Sequence, residues 1–197
     1  MILALDSSTT QGSVALLDDG VVVRNVSIET PRGRGGALFS ALEEILRDGL
    51  KIHRVVAGTG PGSYNGIRSA LSVAWGIASA RGVPLIGVSS LLGLAEGDFC
   101  AVGDARRGHY YFARISGRRF VCEPVLLGRE GLLEELDKTA ELQVLVPSAI
   151  DFLPHAVVCL PDAARLAGIG EGLEPTSHVP EPLYLKAAHV TGPLGTA

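Results

Sequence analysis

The stretch Gly58-Thr-Gly-Pro-Gly-Ser-Tyr-Asn-Gly-Ile-Arg-Ser69 comes closest to a chemical site in residue types and spacing. Its glycines and Pro61 let the backbone turn sharply and approach another molecule closely, and Ser63 or Asn65 can cap a helix behind them. Such a loop points N–H groups outward at a helix N-terminus, where an anion such as phosphate is favoured. The match to the standard phosphate loops is poor. Gly60-x-x-x-x-x-Gly66-Ile-Arg68 has no Lys-Ser/Thr pair, and Gly60-x-Gly62-x-x-Asn65 misses the third glycine of the dinucleotide fingerprint. Ser63 is no hydrolase nucleophile either, because Pro61 and Asn65 stand where a nucleophile elbow has glycines. His53, His109, His155, His178 and His189 never fall at the His-x-x-x-His spacing that sets two imidazoles on one helix face for zinc. Cys100, Cys122 and Cys159 are too widely spaced for a zinc pattern and odd in number, so they read as reduced and structural. No catalytic and no metal-ligating residue is expected.

The elements that must position the glycine loop are a strand over residues 54–58 and a helix over 66–81. Before them, residues 2–6, 12–17 and 21–28 are apolar runs, with Asp18-Asp-Gly20 as a hairpin turn between the second and third. A helix over 36–48 sets Leu38, Leu42 and Ile45 on one face, with Glu43, Glu44 and Arg47 opposite. A strand at 85–88 and a short helix capped by Ser89 complete the unit. The same order then repeats: strands at 99–104, 110–115 and 120–127, a helix at 129–138, a strand at 143–146, a short helix from Ser148, a strand at 157–160, and a helix over 162–169 preceded by Pro161, a residue well placed at a helix start. This duplication predicts an α/β chain of two tandem subdomains, 1–97 and 98–197, each a mixed five-stranded sheet flanked by helices. The helix at 66–81 has more apolar and small residues than one face can use: Ala70, Leu71, Val73, Ala74, Trp75, Ile77, Ala78 and Ala80. Such a helix is wholly buried or shared with another chain.

Bulk properties narrow the class. The chain has 197 residues, 47% hydrophobic and 19% charged, enough to build a core. The apolar pattern from Ile67 to Ala80 is too short for a bilayer and is broken by Arg68, and Met1-Ile-Leu-Ala-Leu-Asp6 lacks the basic region of a secretion signal. A cytoplasmic protein with no membrane contact is expected. A net charge of −4 gives no drive toward nucleic acid, and the pairs Arg32/Arg34, Arg106/Arg107 and Arg118/Arg119 read more readily as solvated turns than as RNA contacts.

The duplicated layout resembles the actin, sugar-kinase and heat-shock ATPase superfamily, an RNase H-like fold, and the motifs are more specific. Ile2-Leu-Ala-Leu-Asp6-Ser-Ser-Thr-Thr-Gln-Gly12 resembles that superfamily's first phosphate hairpin. Gly60-Pro-Gly-Ser-Tyr-Asn-Gly-Ile-Arg68, Gly87-Val-Ser-Ser-Leu91, Asp104-Ala-Arg-Arg-Gly108 and Pro182-Leu-Tyr-Leu-Lys186 together resemble the TsaB (YeaZ) family. The departures are Asn65 where Thr is usual, His109 where an acid is common, Arg34-Gly-Gly-Ala37 without a His-Ser pair, and a short tail.

The resemblance implies a non-catalytic scaffold for the transferase TsaD in threonylcarbamoyladenosine synthesis, at position 37 of tRNAs reading codons that begin with A. TsaE joins the pair, the isolated chain forms a homodimer, and tRNA is met only through the complex. It implies pairing with TsaD through the helices at 36–48 and 66–81, hence through Leu38, Leu42, Ile45, Arg68, Ser69, Val73, Trp75 and Ile77. It also implies that Asp6, Ser7, Ser8, Thr9, Gly60, Gly62 and Ser63 could hold ATP or ADP with magnesium, although no cofactor is required. The bland alternative is that these residues only cap and turn a hairpin. A small kinase-like ATPase of the same superfamily is the other function the fold allows.

Overall fold

The computed structural model describes residues 1–29, 36–46, 49–176 and 178–185; Arg32, Arg34, Arg47, Lys186, His189 and the end of the 36–48 helix lie outside them. The first unit runs β1 (Ile2–Asp6), β2 (Gln11–Asp18), β3 (Val21–Glu29), α1 (Gly36–Leu46), β4 (Arg54–Gly58), α2 (Tyr64–Arg81) and β5 (Leu85–Val88), then a 3₁₀ turn at Ser90–Gly93. The second runs β6 (Phe99–Asp104), β7 (His109–Ser116), β8 (Arg119–Gly128), α3 (Arg129–Asp137), β9 (Gln143–Val146), β10 (Val157–Val158) and α4 (Ala163–Glu171). The sheets have orders β3-β2-β1-β4-β5 and β8-β7-β6-β9-β10, which is one topology written twice. In each, three antiparallel strands are followed by two that add in parallel on the other side of the first. This is the expected α/β class, two mixed five-stranded sheets flanked by helices.

Strand alternation decides which face each helix covers. On the first sheet Leu3, Leu5, Val14, Leu16, Val55 and Ala57 point to one side, where α1 and α2 pack side by side. Ile2, Ala4, Ala15, Leu17, Val56 and Ile86 point to the other side, and Ala163, Leu166 and Ala167 of α4 cover them. The last helix of the second stretch of chain therefore seals the first sheet. Gly170 makes the approach possible, because a Cβ there would stand 2.5 Å from Val56 Cγ2. On the second sheet Cys100, Val102 and Phe112 pack against Leu132 of α3, while Phe99, Ala101, Tyr111 and Ile115 meet Leu91 and Leu94, which arrive from the first unit.

Several local expectations change. No helix begins at Ser148: Pro147 and Pro154 bracket that stretch, and it forms separate turns closed by Leu153 N to Ile150 O (2.8 Å) and Ala156 N to Leu153 O (3.1 Å). The last strand is two residues long rather than four. Asp162, expected inside the last helix, is instead the N-cap of α4, and its carboxylate accepts from Ala164 N at 2.8 Å. Ser89 makes no capping bond; its hydroxyl donates to Gly60 O at 2.9 Å. Among the described residues no helix is long and apolar enough to cross a membrane.

Candidate functional site

The ends of β1 and β4 bring the Asp6 hairpin and the glycine loop together. Both strands are parallel neighbours, and each turns at its C-terminal end, so Ser7–Thr10 and Thr59–Ser63 emerge side by side. They meet in direct contact. Ser63 N donates to Ser8 O at 2.6 Å and Ser7 Oγ donates to Gly66 O at 2.8 Å. A Cβ at Gly62 would stand 2.1 Å from Ser8 O, and one at Gly66 would stand 1.9 Å from Ser7 O. These glycines serve the close approach of one loop to the other.

Asp6 is fully buried at the centre of this contact. Its Oδ1 accepts from Ser8 N (2.9 Å) and Ser8 Oγ (2.7 Å), and its Oδ2 accepts from Ser90 Oγ (2.5 Å). Ser90 Oγ in turn accepts from Gly60 N at 2.9 Å, so one carboxylate and one hydroxyl tie the hairpin, the glycine loop and the turn after β5 into one knot. Gly58 lies directly beneath, where a Cβ would be 1.8 Å from Asp6 Oδ2. Burial pushes the Asp6 carboxyl above its ordinary value, against the opposing pull of the Ser90 and Ser8 donors.

This geometry does not fit a magnesium nucleotide on these residues. A hard cation needs carboxylate oxygens presented to it, whereas both oxygens of Asp6 are occupied by serine donors and shut from solvent. Ser7 and Ser8 are buried against the loop, Thr9 Oγ1 donates to Gln11 O at 2.6 Å, Gly60 is buried, and Gly62 and Ser63 lie at the loop's surface. The arrangement works as a structural brace. Of its members the sequence reading missed Ser90; the Ser-Ser pair after β5 was the signal, taken there for a helix cap. At the matching end of the second sheet Asp104 Oδ1 accepts from Arg106 N at 2.7 Å, but that carboxylate is exposed.

The second candidate is the surface of α1 and α2. Leu38, Leu42 and Ile45 are buried in the first core, so they hold α1 onto the sheet and are not a partner-facing set; Phe39, 58% exposed, stands on the outer side. In α2, Ile67, Ala70, Leu71, Ala74 and Ala78 form the buried face. Val73 and Ile77 are half-buried along its edge, against the same core, rather than on an outer face. Arg68, Ser69 and Trp75 are exposed, Trp75 by 54%, and Tyr64, at the first helical position, is exposed by 45%. Tyr64, Arg68, Ser72 and Trp75 follow helical spacing down one side. The Arg68 guanidinium lies over the Tyr64 ring at 5.1 Å and donates to its hydroxyl at 2.5 Å. The Tyr184 ring stacks on Tyr64 with centroids 5.0 Å apart. Both tyrosines lie in motifs quoted from the sequence, but nothing local places residue 184 beside residue 64.

Comparison with known proteins gives a consistent set. Residues 36–151 match a family model described as TsaD: tRNA N6-adenosine threonylcarbamoyltransferase. The chain is similar to the tRNA threonylcarbamoyladenosine biosynthesis protein TsaB of Escherichia coli (34% identity, covering 57% of this chain and 53% of the relative). It is also similar to the TsaB of Bacillus subtilis (27%, covering 68% and 63%). The chain thus spans about half the length of the curated relatives it matches. A crystal structure of an uncharacterized Pseudomonas aeruginosa protein with similarity to peptidase YEAZ superposes with a TM-score of 0.75 at 27% identity, covering 94% of this chain and 99% of that one. The structure called YeaZ from Pseudomonas aeruginosa gives 0.69 at 25%, covering 86% and 90%.

Proposed function

Since the chain belongs to the TsaB (YeaZ) family, within the wider group that the threonylcarbamoyltransferase model describes, we propose that it is a non-catalytic partner of TsaD. Its role is to support threonylcarbamoyladenosine formation at position 37 of tRNAs that read codons beginning with A. The complex acts in the cytoplasm, TsaE joins it, tRNA is met through the complex, and a second copy of this chain takes TsaD's place when TsaD is absent.

The observation that carries this reading is the outer side of α2. A helix that seals its own core with one face still exposes Tyr64 and Trp75, with Arg68 between them. Aromatic residues and arginine are the side chains that anchor protein interfaces. The helix is held at both ends. Ser63 Oγ accepts from Gly66 N at 3.3 Å, Gly82 closes the C-terminus in the left-handed region at φ 63°, and Arg81 donates to Leu50 O at 2.7 Å. A surface fixed in advance loses less freedom on binding. The enclosed Asp6 supports the non-catalytic part, since the one buried carboxylate of the loop region has no open side toward a substrate.

The test replaces Trp75 with Glu. Its side chain is exposed, so the variant folds, while a carboxylate forced into a dry contact costs about 3 kcal/mol of association, roughly a hundredfold in Kd. Calorimetric binding to TsaD and tRNA threonylcarbamoylation in a reconstituted system are measured together, and both are expected to fall. Parent-like binding and modification by the folded variant would remove α2 from the interface, and failure of the parent chain to bind TsaD would remove the function itself.

A further inference from the structure

We propose that residues 178–185 form a strap that sets the partner surface of α2, and that Tyr184 is the positioning residue through which it acts. The proposal rests on the reading of α2 given above and adds a second segment of chain to it. The approach to the strap is fixed first: the Arg54 guanidinium donates to the carbonyls of Gly170 (2.5 Å), Glu171 (3.0 Å) and Leu173 (2.8 Å). A cavity of about 360 Å³, lined by Thr59, Ile86, Gly87, Glu174, Pro180 and Glu181 among others, separates that anchor from the strap's landing points. The strap then attaches three times within a few residues. Pro180 presses on β5 at Gly87, where a Cβ would be 2.6 Å from the proline ring. Leu183 N donates to Thr59 O at 2.8 Å, directly on the glycine loop. Leu185 packs against the core of the second sheet, around Phe99 and Tyr111.

Tyr184 lies between the last two attachments, so its ring is fixed by backbone held to both halves of the molecule. That ring stacks on Tyr64 at an interplanar angle of 26°, and Tyr64 carries Arg68 on its ring and hydroxyl. The chain of contact therefore runs from the second core through Leu185 and Tyr184 to Tyr64 and Arg68 on the outer side of α2. Without Tyr184, Tyr64 is a surface tyrosine at a helix start that loses the ring stacked on it, and Arg68 lies on a less firmly placed ring. Aromatic stacking and cation–π contacts both depend on ring placement, and an interface group that is already immobile binds with less loss of freedom.

The experiment compares Tyr184→Ala, Tyr184→Phe and Trp75→Glu in the full chain, measuring TsaD affinity and thermal unfolding for each. Tyr184 is 43% exposed, so its removal leaves the core intact and the unfolding midpoint near the parent's. Tyr184→Ala is expected to weaken TsaD binding by about tenfold, the scale of one aromatic pair, and Tyr184→Phe to restore it. If Trp75→Glu loses binding while Tyr184→Ala keeps parent affinity, the α2 surface stands and the strap's role is overturned. Equal losses in the Ala and Phe variants would overturn the stacking argument, because the ring would not be what matters. Parent-like binding by Trp75→Glu would instead overturn the reading of α2 on which the strap depends.

Discussion

Asp6 collects three donors from two serines and is fully buried, so its removal is felt by each of them. Asp6→Ala leaves Ser8 N, Ser8 Oγ and Ser90 Oγ buried without that acceptor. At about 1 kcal/mol or more for each abandoned group, the variant should lose about 3–4 kcal/mol of stability in denaturant unfolding. Asp6→Asn keeps the oxygen that Ser8 uses. Its amide faces Ser90 Oγ, which already accepts from Gly60 N, so only the Ser90 hydrogen is stranded, for about 1 kcal/mol. The pH dependence separates the two effects. Because burial raises the folded carboxyl above its ordinary 3.8, the protonated form favours the folded state. This pH-linked component of stability is therefore full below 3.8 and is lost as pH rises through the folded value. Unfolding free energies measured across this acid range should show that component in the parent and lack it in Asp6→Asn.

At the scale of elements, α2 carries the proposal because it serves the core and the surface with different sides. Its small residues explain why period alone misleads: Ala70, Ala74 and Ala78 let the helix lie close on β4 and β1, while the larger Trp75 is left outside. The first turn of the helix is where the glycine loop, the strap and the outer side meet, so its cap has consequences beyond local stability. Ser63→Ala removes the side-chain acceptor for Gly66 N and should cost about 1 kcal/mol, with Ser63→Asp retaining most of it. Amide hydrogen exchange should accelerate at residues 64–67 in the alanine variant and stay near the parent's rate at 74–78, where Ala74 and Ala78 are buried.

The whole molecule is held together by pieces of chain that cross between the two sheets. Leu166, with no exposed surface, lies on the first sheet beside Ile2, Ala15 and Val56 although it comes from the end of the second unit. Leu166→Ala should cost about 2–5 kcal/mol in global unfolding, as for other buried large-to-small changes. A fragment of residues 1–97 should fail to give a cooperative unfolding transition, because without α4 one entire face of its sheet is uncovered. A fragment that melts cooperatively like the parent would show that α4 is an addition to the first unit and not part of its core.

The sequence by itself determined the repeated order of elements and the sharp turn between β4 and α2. It also determined the apolar alternation of β1, β2 and β4 and the excess of apolar positions on α2. These are local properties, carried by hydrophobic period, by Asp19-Gly20 at the turn between β2 and β3 and by the glycines that turn the chain after β4. Tertiary structure decided how those parts are used. The stripe Leu38, Leu42, Ile45 is equally compatible with a core and with a partner, and it went to the core because the first sheet offered an apolar face that α2 alone does not cover. The Asp6 carboxylate could equally have faced a cation or a hydroxyl, and it was closed in by Ser90, a residue 84 positions away. The stacking of Tyr184 on Tyr64 and the seating of α4 on the first sheet are also long-range contacts. No periodicity in a window of sequence encodes them, because they depend on where the second sheet places the end of the chain.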